Sequence, residues 1–192
     1  MNTAILFSAV LAAGRSIRFG SPNQLADFRG KPLVMHALAL AATATPGRNL
    51  LIAGADAERI LQACNPLPGY FCINEKFADG LSSSIHCAVN ATDRVADGLL
   101  LLLADQPLIS DQHLQTLCTV WRQNPLKIVA TEFAGIAAPP IIFPAAHFPD
   151  LLALNGDQGA RTILQAMPDD IVSIPFADAE IDIDRPDDLQ PY

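Results

Sequence analysis

The sequence has little of what marks several specialised classes of protein. Aromatic residues make up only 6% of its 192 residues, so aliphatic side chains must form the core. The longest aliphatic run, the five leucines of 99–103, is too short to cross a bilayer. The opening segment 1–10 lacks the basic start of a secretory signal, and there is no internal repeat or low-complexity tract. We therefore expect a soluble cytoplasmic protein with no membrane partner.

Two common kinds of site are also missing from the pattern. The four cysteines are Cys64, Cys72, Cys87 and Cys118. None forms a C-x-x-C pair or has a closely spaced histidine, which argues against a zinc site or a disulfide framework and favours buried thiols. The four histidines are scattered, and no Ser-His-Asp triad is indicated.

Positive charge is scarce overall and unevenly distributed. The net charge of −8 argues against a nucleic-acid partner. Residues 1–48 contain five basic side chains and one acidic, whereas residues 150–192 contain ten acidic and two basic. A triphosphate would be attracted to the first segment, and a divalent cation could find ligands in the second.

The apolar pattern predicts alternating strands and helices. Strands are predicted over 4–11, 50–53, 70–73, 99–103, 128–131 and 171–174. Helices are predicted over 33–44, 57–64, 81–90, 111–123 and 159–167. Between 133 and 148 the pattern loosens, and Pro139, Pro140, Pro144 and Pro149 are interpreted as bends. We expect one α/β domain over residues 1–192, a three-layer, doubly wound fold with a mostly parallel sheet.

The segment 11–20 is the most informative stretch, because it turns from an apolar strand into a loop of small residues. Gly14 and Gly20 permit backbone angles closed to other residues, while Arg15 and Arg18 supply positive charge. The loop lacks G-x-G-x-x-G spacing, and no Walker Gly-Lys-Ser/Thr follows it. These features favour a phosphate site of another type over an ordinary strand-to-helix turn.

Together with Gly30-Lys31-Pro32-Leu33, this segment resembles the signature of nucleotidyltransferases of the molybdenum cofactor type, in particular their cytidylyltransferase-like branch. The resemblance implies a Rossmann-type fold like that of nucleotide-diphospho-sugar transferases. It implies that Arg18 neutralises the β and γ phosphates and stabilises the leaving pyrophosphate. The residues that it places at the nucleotide are Leu11, Ala12, Ala13, Gly14, Arg15, Ser16, Gln24, Lys31, Gly80, Ser82 and Ser83.

Gln24 departs from the family pattern, which usually has a lysine at this position. A glutamine can donate hydrogen bonds to phosphate but brings no charge, and losing a charged contact to a transition state costs about 3 kcal/mol. Lys31 or Arg29 could compensate. Alternatively, the protein is slow or takes another ligand.

Asp105 follows the leucine run, at the expected carboxyl edge of an interior strand. A structural reading makes it a helix cap, but the family's L-x-D-x-P element implies that it binds Mg²⁺. The closing segment 182–189 resembles the family's D-I-D-T-P-E-D-L element, in which Asp184 is the second metal ligand and Asp182 the reserve. Asp187 and Asp188 are interpreted as structural acids at a helix start.

Three further sequence segments resemble family motifs, and for two of them a structural role and a binding role both stay open. Gly80 and Ser82 to Ser84 either cap a helix or bind base or acceptor phosphate through exposed N–H groups. The segment 155–161 either forms a capped turn, with Arg161 paired to Asp157, or contacts the phosphate of a pterin acceptor. In 138–143 an alanine replaces the first glycine of the family's G-x-P element.

The resemblance implies an enzyme that transfers a nucleoside monophosphate, CMP from CTP in the first instance, to a phosphorylated pterin such as molybdopterin. Two alternatives stay open at this stage. One is an NAD(P)H-dependent oxidoreductase of the nicotine blue oxidoreductase-like branch. The other is a nucleotide-binding accessory protein for a molybdenum hydroxylase, with its chemistry weakened by Gln24.

Overall fold

The computed structural model describes residues 4–190, in which strands and helices alternate along most of the chain. The strands are β1 (Leu6–Ala12), β2 (Asp27–Phe28), β3 (Lys31–Pro32), β4 (Asn49–Ala53), β5 (Tyr70–Ile73), β6 (Gly98–Leu103), β7 (Ile128–Phe133), β8 (Ile136–Pro144) and β9 (Ile171–Pro175). The helices are α1 (Leu33–Ala44), α2 (Ala57–Ala63), α3 (Leu81–Thr92), α4 (Asp111–Gln123), α5 (Phe148–Leu152) and α6 (Ala160–Ala166). In this part of the chain, no helix has the length and apolar character needed to span a membrane.

Seven strands form one mixed sheet in the order β5-β4-β1-β6-β8-β7-β9. Parallel pairing joins β5, β4, β1 and β6 in turn, and it also joins β7 to β9. Only β8, among the strands of this sheet, runs against its neighbours. The predicted α/β class with a mostly parallel sheet is confirmed.

The sheet lies between two layers of helices, which explains the run of leucines in β6. Leu100 and Leu102 point to the core shared with α1 and α4, in which Trp121 is fully buried. Leu99 and Leu101 point to the opposite core, shared with α3, α5 and α6. A strand buried on both faces has apolar residues at every position, whereas a half-exposed strand alternates. The three-layer arrangement is therefore as predicted.

The prediction for 133–148 is wrong, because this stretch contains the nine-residue strand β8 in the interior of the sheet. Proline removes a backbone donor and usually argues against an interior strand. Here Pro139 and Pro140 lie where the pairing of β7 with β8 changes register, and Pro144 is the last residue of the strand. The prolines therefore fall at a register shift and a strand end.

The parallel strands bring their carboxyl ends to one edge of the sheet, where open α/β folds bind ligands. The segments that leave β1, β5 and β6 all begin at this edge. The sheet order places β1 beside both β4 and β6. The 11–20 segment and Asp105 are therefore brought together by strand pairing.

Candidate active site

A cleft of about 580 Å³ opens at this edge of the sheet. Its walls come from the 11–20 segment, the residues around the start of α3, the end of β6, and the acids Asp157 and Asp184. The predicted site residues that line it are Leu11, Ala13, Gly14, Arg15, Ser16, Arg18, Gln24, Gly80, Asp105 and Asp184. Residues separated by up to 173 positions in the sequence thus share one cavity.

Four of the predicted nucleotide-contacting residues do not line the cleft. Ala12 is buried inside β1, and Lys31 is exposed on β3. Lys31 is therefore not part of the cleft wall that contains Gln24. Ser82 and Ser83 are buried in the first turn of α3.

The first turn of α3 is closed by protein contacts, which differs from the exposed N–H groups that the sequence suggested. The Ser82 N–H donates to the Gly156 carbonyl at 3.0 Å, and the Ser83 hydroxyl donates to the Gly80 carbonyl at 2.7 Å. Backbone groups already paired in this way are not free for a ligand. From this turn, Gly80 and Ser84 line the cleft in their place.

The loop that follows β1 has a distinctive backbone. Ser16 has φ +50, a left-handed conformation that is uncommon for a residue with a side chain, and Gly20 has φ +80. The Ser16 carbonyl accepts hydrogen bonds from the N–H groups of Phe19 and Gly20, at 3.0 and 3.2 Å. The guanidinium of Arg15 lies over the Phe77 ring, 5.5 Å from its centroid. The loop is therefore held by local contacts before any ligand binds.

Gln24 is buried and braces this loop. Its Nε2 donates to the Gly14 carbonyl at 3.0 Å, and its Oε1 accepts from the Ser16 hydroxyl at 3.2 Å. Both ends of the amide are therefore engaged with the loop. The side chain at the family's lysine position acts here as a structural contact of the loop and supplies no charge.

Asp105 and Asp184 both face the cleft, and Arg18 lies with them. The Arg18 Nη1 is 2.8 Å from the Asp184 Oδ2, and 66% of the Arg18 side chain remains exposed. Arg18 therefore reaches from the loop to the C-terminal segment. This contact places the predicted phosphate-binding cation beside a predicted metal ligand.

The carboxyl group of Asp105 lies in an environment that disfavours its charge. Burial, followed by the carboxylates of Asp182 and Asp184, raises its pKa to about 7, although Arg18 acts in the opposite direction. Its Oδ1 is buried and has no hydrogen-bond partner among the described residues. Such an unpaired buried carboxylate oxygen is suited to a cation. Burial also raises the pKa of Asp182.

The C-terminal segment is fixed to the cleft by Ile183. This side chain is fully buried in a small cluster with Phe28 and Leu33. Its N–H donates to the Asp105 carbonyl at 2.9 Å, and its carbonyl accepts from the Asn23 Nδ2 at 2.9 Å. Asn23 was not among the predicted site residues, and nothing in the local sequence pattern singles it out.

Asp188 stabilises the backbone of the same C-terminal segment. Its Oδ2 accepts from the N–H groups of Asp184 and Arg185, at 3.0 and 2.8 Å. It therefore caps the short 3₁₀ turn that begins at Pro186. This contact agrees with a structural role for the acid.

Carboxylate oxygens suit a hard divalent cation, and Asp105 and Asp184 present such oxygens at the cleft. Within residues 4–190 there is no cluster of three or more histidine, cysteine, aspartate or glutamate residues arranged to hold a metal. Magnesium commonly takes one or two carboxylates and completes its shell with phosphate oxygens and water. Asp105 and Asp184 together match that donor set.

The sequence of this chain matches a family model and two known proteins over most of its length. The model of the MobA-like NTP transferase domain matches residues 8–171. The purine catabolism protein PucB of Bacillus subtilis is 27% identical over 174 residues, which is 86% of this chain and 83% of PucB. The nicotine blue oxidoreductase of Paenarthrobacter nicotinovorans is 27% identical over 168 residues, 83% of this chain and 81% of that protein.

Among solved structures, the manganese complex of Rv0371c from Mycobacterium tuberculosis superposes with a TM-score of 0.82 at 23% identity. The superposition covers 98% of this chain and 97% of that one. At this level of identity the likeness establishes the fold. The family match covers most of the sequence, including the loop, the leucine strand and Asp105. This chain therefore belongs to the MobA-like NTP transferase domain family.

Proposed function

We propose that this protein transfers a nucleoside monophosphate from a nucleoside triphosphate to a phosphorylated acceptor and releases pyrophosphate. The favoured donor is CTP, and the favoured acceptor is a phosphorylated pterin such as molybdopterin, in the cytoplasm and within one domain over residues 1–192. The observation that supports it most strongly is the presence of Arg18, Asp105 and Asp184 in one cleft. A cation for the leaving group and carboxylates for a metal are what this chemistry needs.

The loop after β1 would bind the triphosphate. Gly14 is exposed and lacks a side chain, which lets a phosphate approach the backbone closely. Arg15 and Arg18 are exposed cations on the same wall of the cleft. With Gln24 neutral, these two arginines supply the positive charge that this wall offers to phosphate.

Asp105 and Asp184 would hold the Mg²⁺ ion. When bound, the ion supplies charge neutralisation at the α phosphate. The unpaired Oδ1 of Asp105 would then be a ligand of the ion. The positive charge of the ion would compensate the negative charge of the Asp105 carboxylate, which burial disfavours. This is why the metal and the nucleotide are proposed to bind to the same cleft.

The reaction itself needs positioning more than acid–base chemistry. An oxygen of the acceptor phosphate attacks the α phosphorus, the bond to the bridging α–β oxygen breaks, and pyrophosphate leaves with that electron pair. The acceptor phosphate is already ionised at neutral pH and requires no general base. Arg18 would stabilise the charge that develops on pyrophosphate, and its contact with Asp184 beside the cleft supports this role.

A panel of thermal unfolding measurements tests this proposal. CTP, GTP, ATP and NADPH are each added with and without Mg²⁺, because a ligand specific for the folded state raises its stability. The proposal expects a Mg²⁺-dependent shift with a triphosphate, largest with CTP. No shift with any triphosphate would contradict it.

The oxidoreductase alternative is kept in that panel because one relative is named for such an activity. A stabilising shift with NADPH, followed by its oxidation in the presence of an acceptor dye, would favour that function. Tight triphosphate binding without pyrophosphate release, with a range of phosphorylated pterins as acceptors, would favour an accessory role toward a molybdenum hydroxylase.

A further inference from the structure

Asn23 lies where the loop after β1 meets the C-terminal acidic segment. It lines the cleft, yet only 6% of its surface is exposed. Its Oδ1 accepts from the Ser16 hydroxyl at 2.6 Å, while its Nδ2 donates to the Ile183 carbonyl at 2.9 Å. The two ends of one amide therefore contact two separate walls of the site.

On the loop side, this contact fixes a residue in an unusual conformation. Ser16 has a left-handed backbone, and its hydroxyl is held by Asn23 and by Gln24 at 2.6 and 3.2 Å. Such conformations persist where neighbouring contacts hold them in place. Asn23 thus helps to set the shape of the turn between Arg15 and Arg18.

In the C-terminal segment, the contact with Asn23 fixes the backbone of Ile183. Ile183 lies between Asp182 and Asp184, and its N–H donates to the Asp105 carbonyl at 2.9 Å. A continuous path of hydrogen bonds therefore runs from Ser16 through Asn23 and Ile183 to the backbone of Asp105. Both predicted metal ligands lie at one end of this path, and the loop lies at the other.

We propose that Asn23 is a positioning residue that sets the distance between the triphosphate loop and the metal-binding carboxylates. This inference rests on the proposed function. Asn23 does not touch the reacting atoms; it acts through the backbone of Ile183 and through Ser16. Its loss therefore weakens metal binding even before a nucleotide is present, because the segment that holds Asp184 is no longer tied to Asn23.

The test is Asn23→Leu, which keeps the size of the side chain and removes both hydrogen bonds. Mn²⁺ binding to the nucleotide-free protein is followed by the electron paramagnetic resonance signal of free Mn²⁺. Partners that orient metal ligands commonly contribute tenfold or more to affinity, so the variant is expected to bind Mn²⁺ about tenfold more weakly. In turnover, kcat should fall by about the same factor, with a smaller change in KM.

The matched control is Thr45→Val. It removes the buried Ser8–Thr45 hydrogen bond of 2.6 Å, and neither residue lines the cleft. This variant loses stability and should keep Mn²⁺ affinity within about twofold. A loss in both variants would mean that general destabilisation causes the effect, and the inference would be wrong.

Asn23→Ala serves if the leucine variant does not fold. Water can reach the Ile183 carbonyl in the space left by alanine, so about a threefold loss of Mn²⁺ affinity is expected. Unchanged affinity in a folded Asn23 variant would overturn the inference and leave the proposed function intact. A wild-type protein that binds neither Mn²⁺ nor triphosphate would overturn both.

Discussion

Arg18 and Asp184 form an ion pair in which the Nη1 and Oδ2 atoms are 2.8 Å apart. The side chains remain 66% and 39% exposed, so the pair contributes only about 0.5 kcal/mol to stability. A ligand can therefore separate them at small cost. In the proposed complex, Arg18 turns to phosphate and Asp184 to the metal, and each charge exchanges one partner for another.

The first prediction concerns Arg18 itself. Because Arg18 is proposed to act on charge that develops as pyrophosphate leaves, Arg18→Gln should lower kcat by about 100-fold with little change in KM. Steady-state assays of pyrophosphate release measure both constants. Arg15→Gln is the matched control, since it removes the same charge from the same loop and should mainly raise KM. Equal effects of the two substitutions on kcat would refute a special role for Arg18.

The second prediction concerns the pH dependence of stability without metal. The pKa of the Asp105 carboxyl is about 7 in the folded protein and near the ordinary value of 3.8 in the unfolded chain. The folded state therefore binds a proton at Asp105 more tightly than the unfolded state does. The resulting stabilisation is complete below about pH 4 and is lost as the pH rises through about 7. Asp105→Asn should remove this pH dependence. At mildly alkaline pH, the free energy of unfolding of the variant should exceed that of the wild type by on the order of 2 kcal/mol.

Urea unfolding in the presence of a chelator, at several pH values, checks this prediction. Asp93→Asn, at an exposed position just after α3, is the control and should follow the wild-type curve. If the difference in the free energy of unfolding between wild type and Asp105→Asn does not grow from acid to alkaline pH, burial does not raise the pKa of Asp105.

The third prediction concerns the family's missing lysine. Gln24→Lys adds a cation to the triphosphate wall while still offering a donor to the Gly14 carbonyl, although it loses the acceptor for Ser16. We expect about a tenfold lower KM for the triphosphate. Gln24→Met, of similar length and without charge, should raise KM. A lysine variant no better than the methionine variant would mean that this position does not face phosphate.

The fourth prediction concerns thiol reactivity. Hydrogen bonding with the Cys87 side chain lowers the pKa of the Cys72 thiol to about 7, whereas burial raises the pKa of Cys64 to about 11. Iodoacetamide near neutral pH should therefore alkylate Cys72 faster than the buried Cys64 and Cys118. Peptide mass spectrometry over time measures this. Labelling of Cys72 no faster than that of Cys118 would contradict the assigned contact.

Local signals in the sequence located much of the fold. The predicted bounds of α1 and α4 agree with the structure, because apolar periodicity marks both and Ser110 caps α4 by accepting from the His113 N–H at 3.1 Å. The leucine run of β6 and the small-residue loop after β1 are equally local features. These elements could be predicted because their causes lie within a few residues of each other.

The remaining features depend on contacts between distant parts of the chain. The pairing that places β8 inside the sheet cannot be read from a strand that contains three prolines. Asn23 and Ile183 are 160 residues apart in sequence, so the contact that joins two walls of the cleft leaves no local pattern. The closure of the first turn of α3 by Gly156 is another such contact.

The central claim is that one cleft binds a triphosphate and a divalent cation together. Titration calorimetry with α,β-methylene CTP, with and without Mg²⁺, tests it most directly on the wild type and on an Asp105→Asn, Asp184→Asn double variant. The account predicts binding that is strongly enhanced by Mg²⁺ in the wild type and an enhancement that disappears in the double variant. Binding with the same Mg²⁺ dependence in both proteins, or no binding to the wild type, would contradict it.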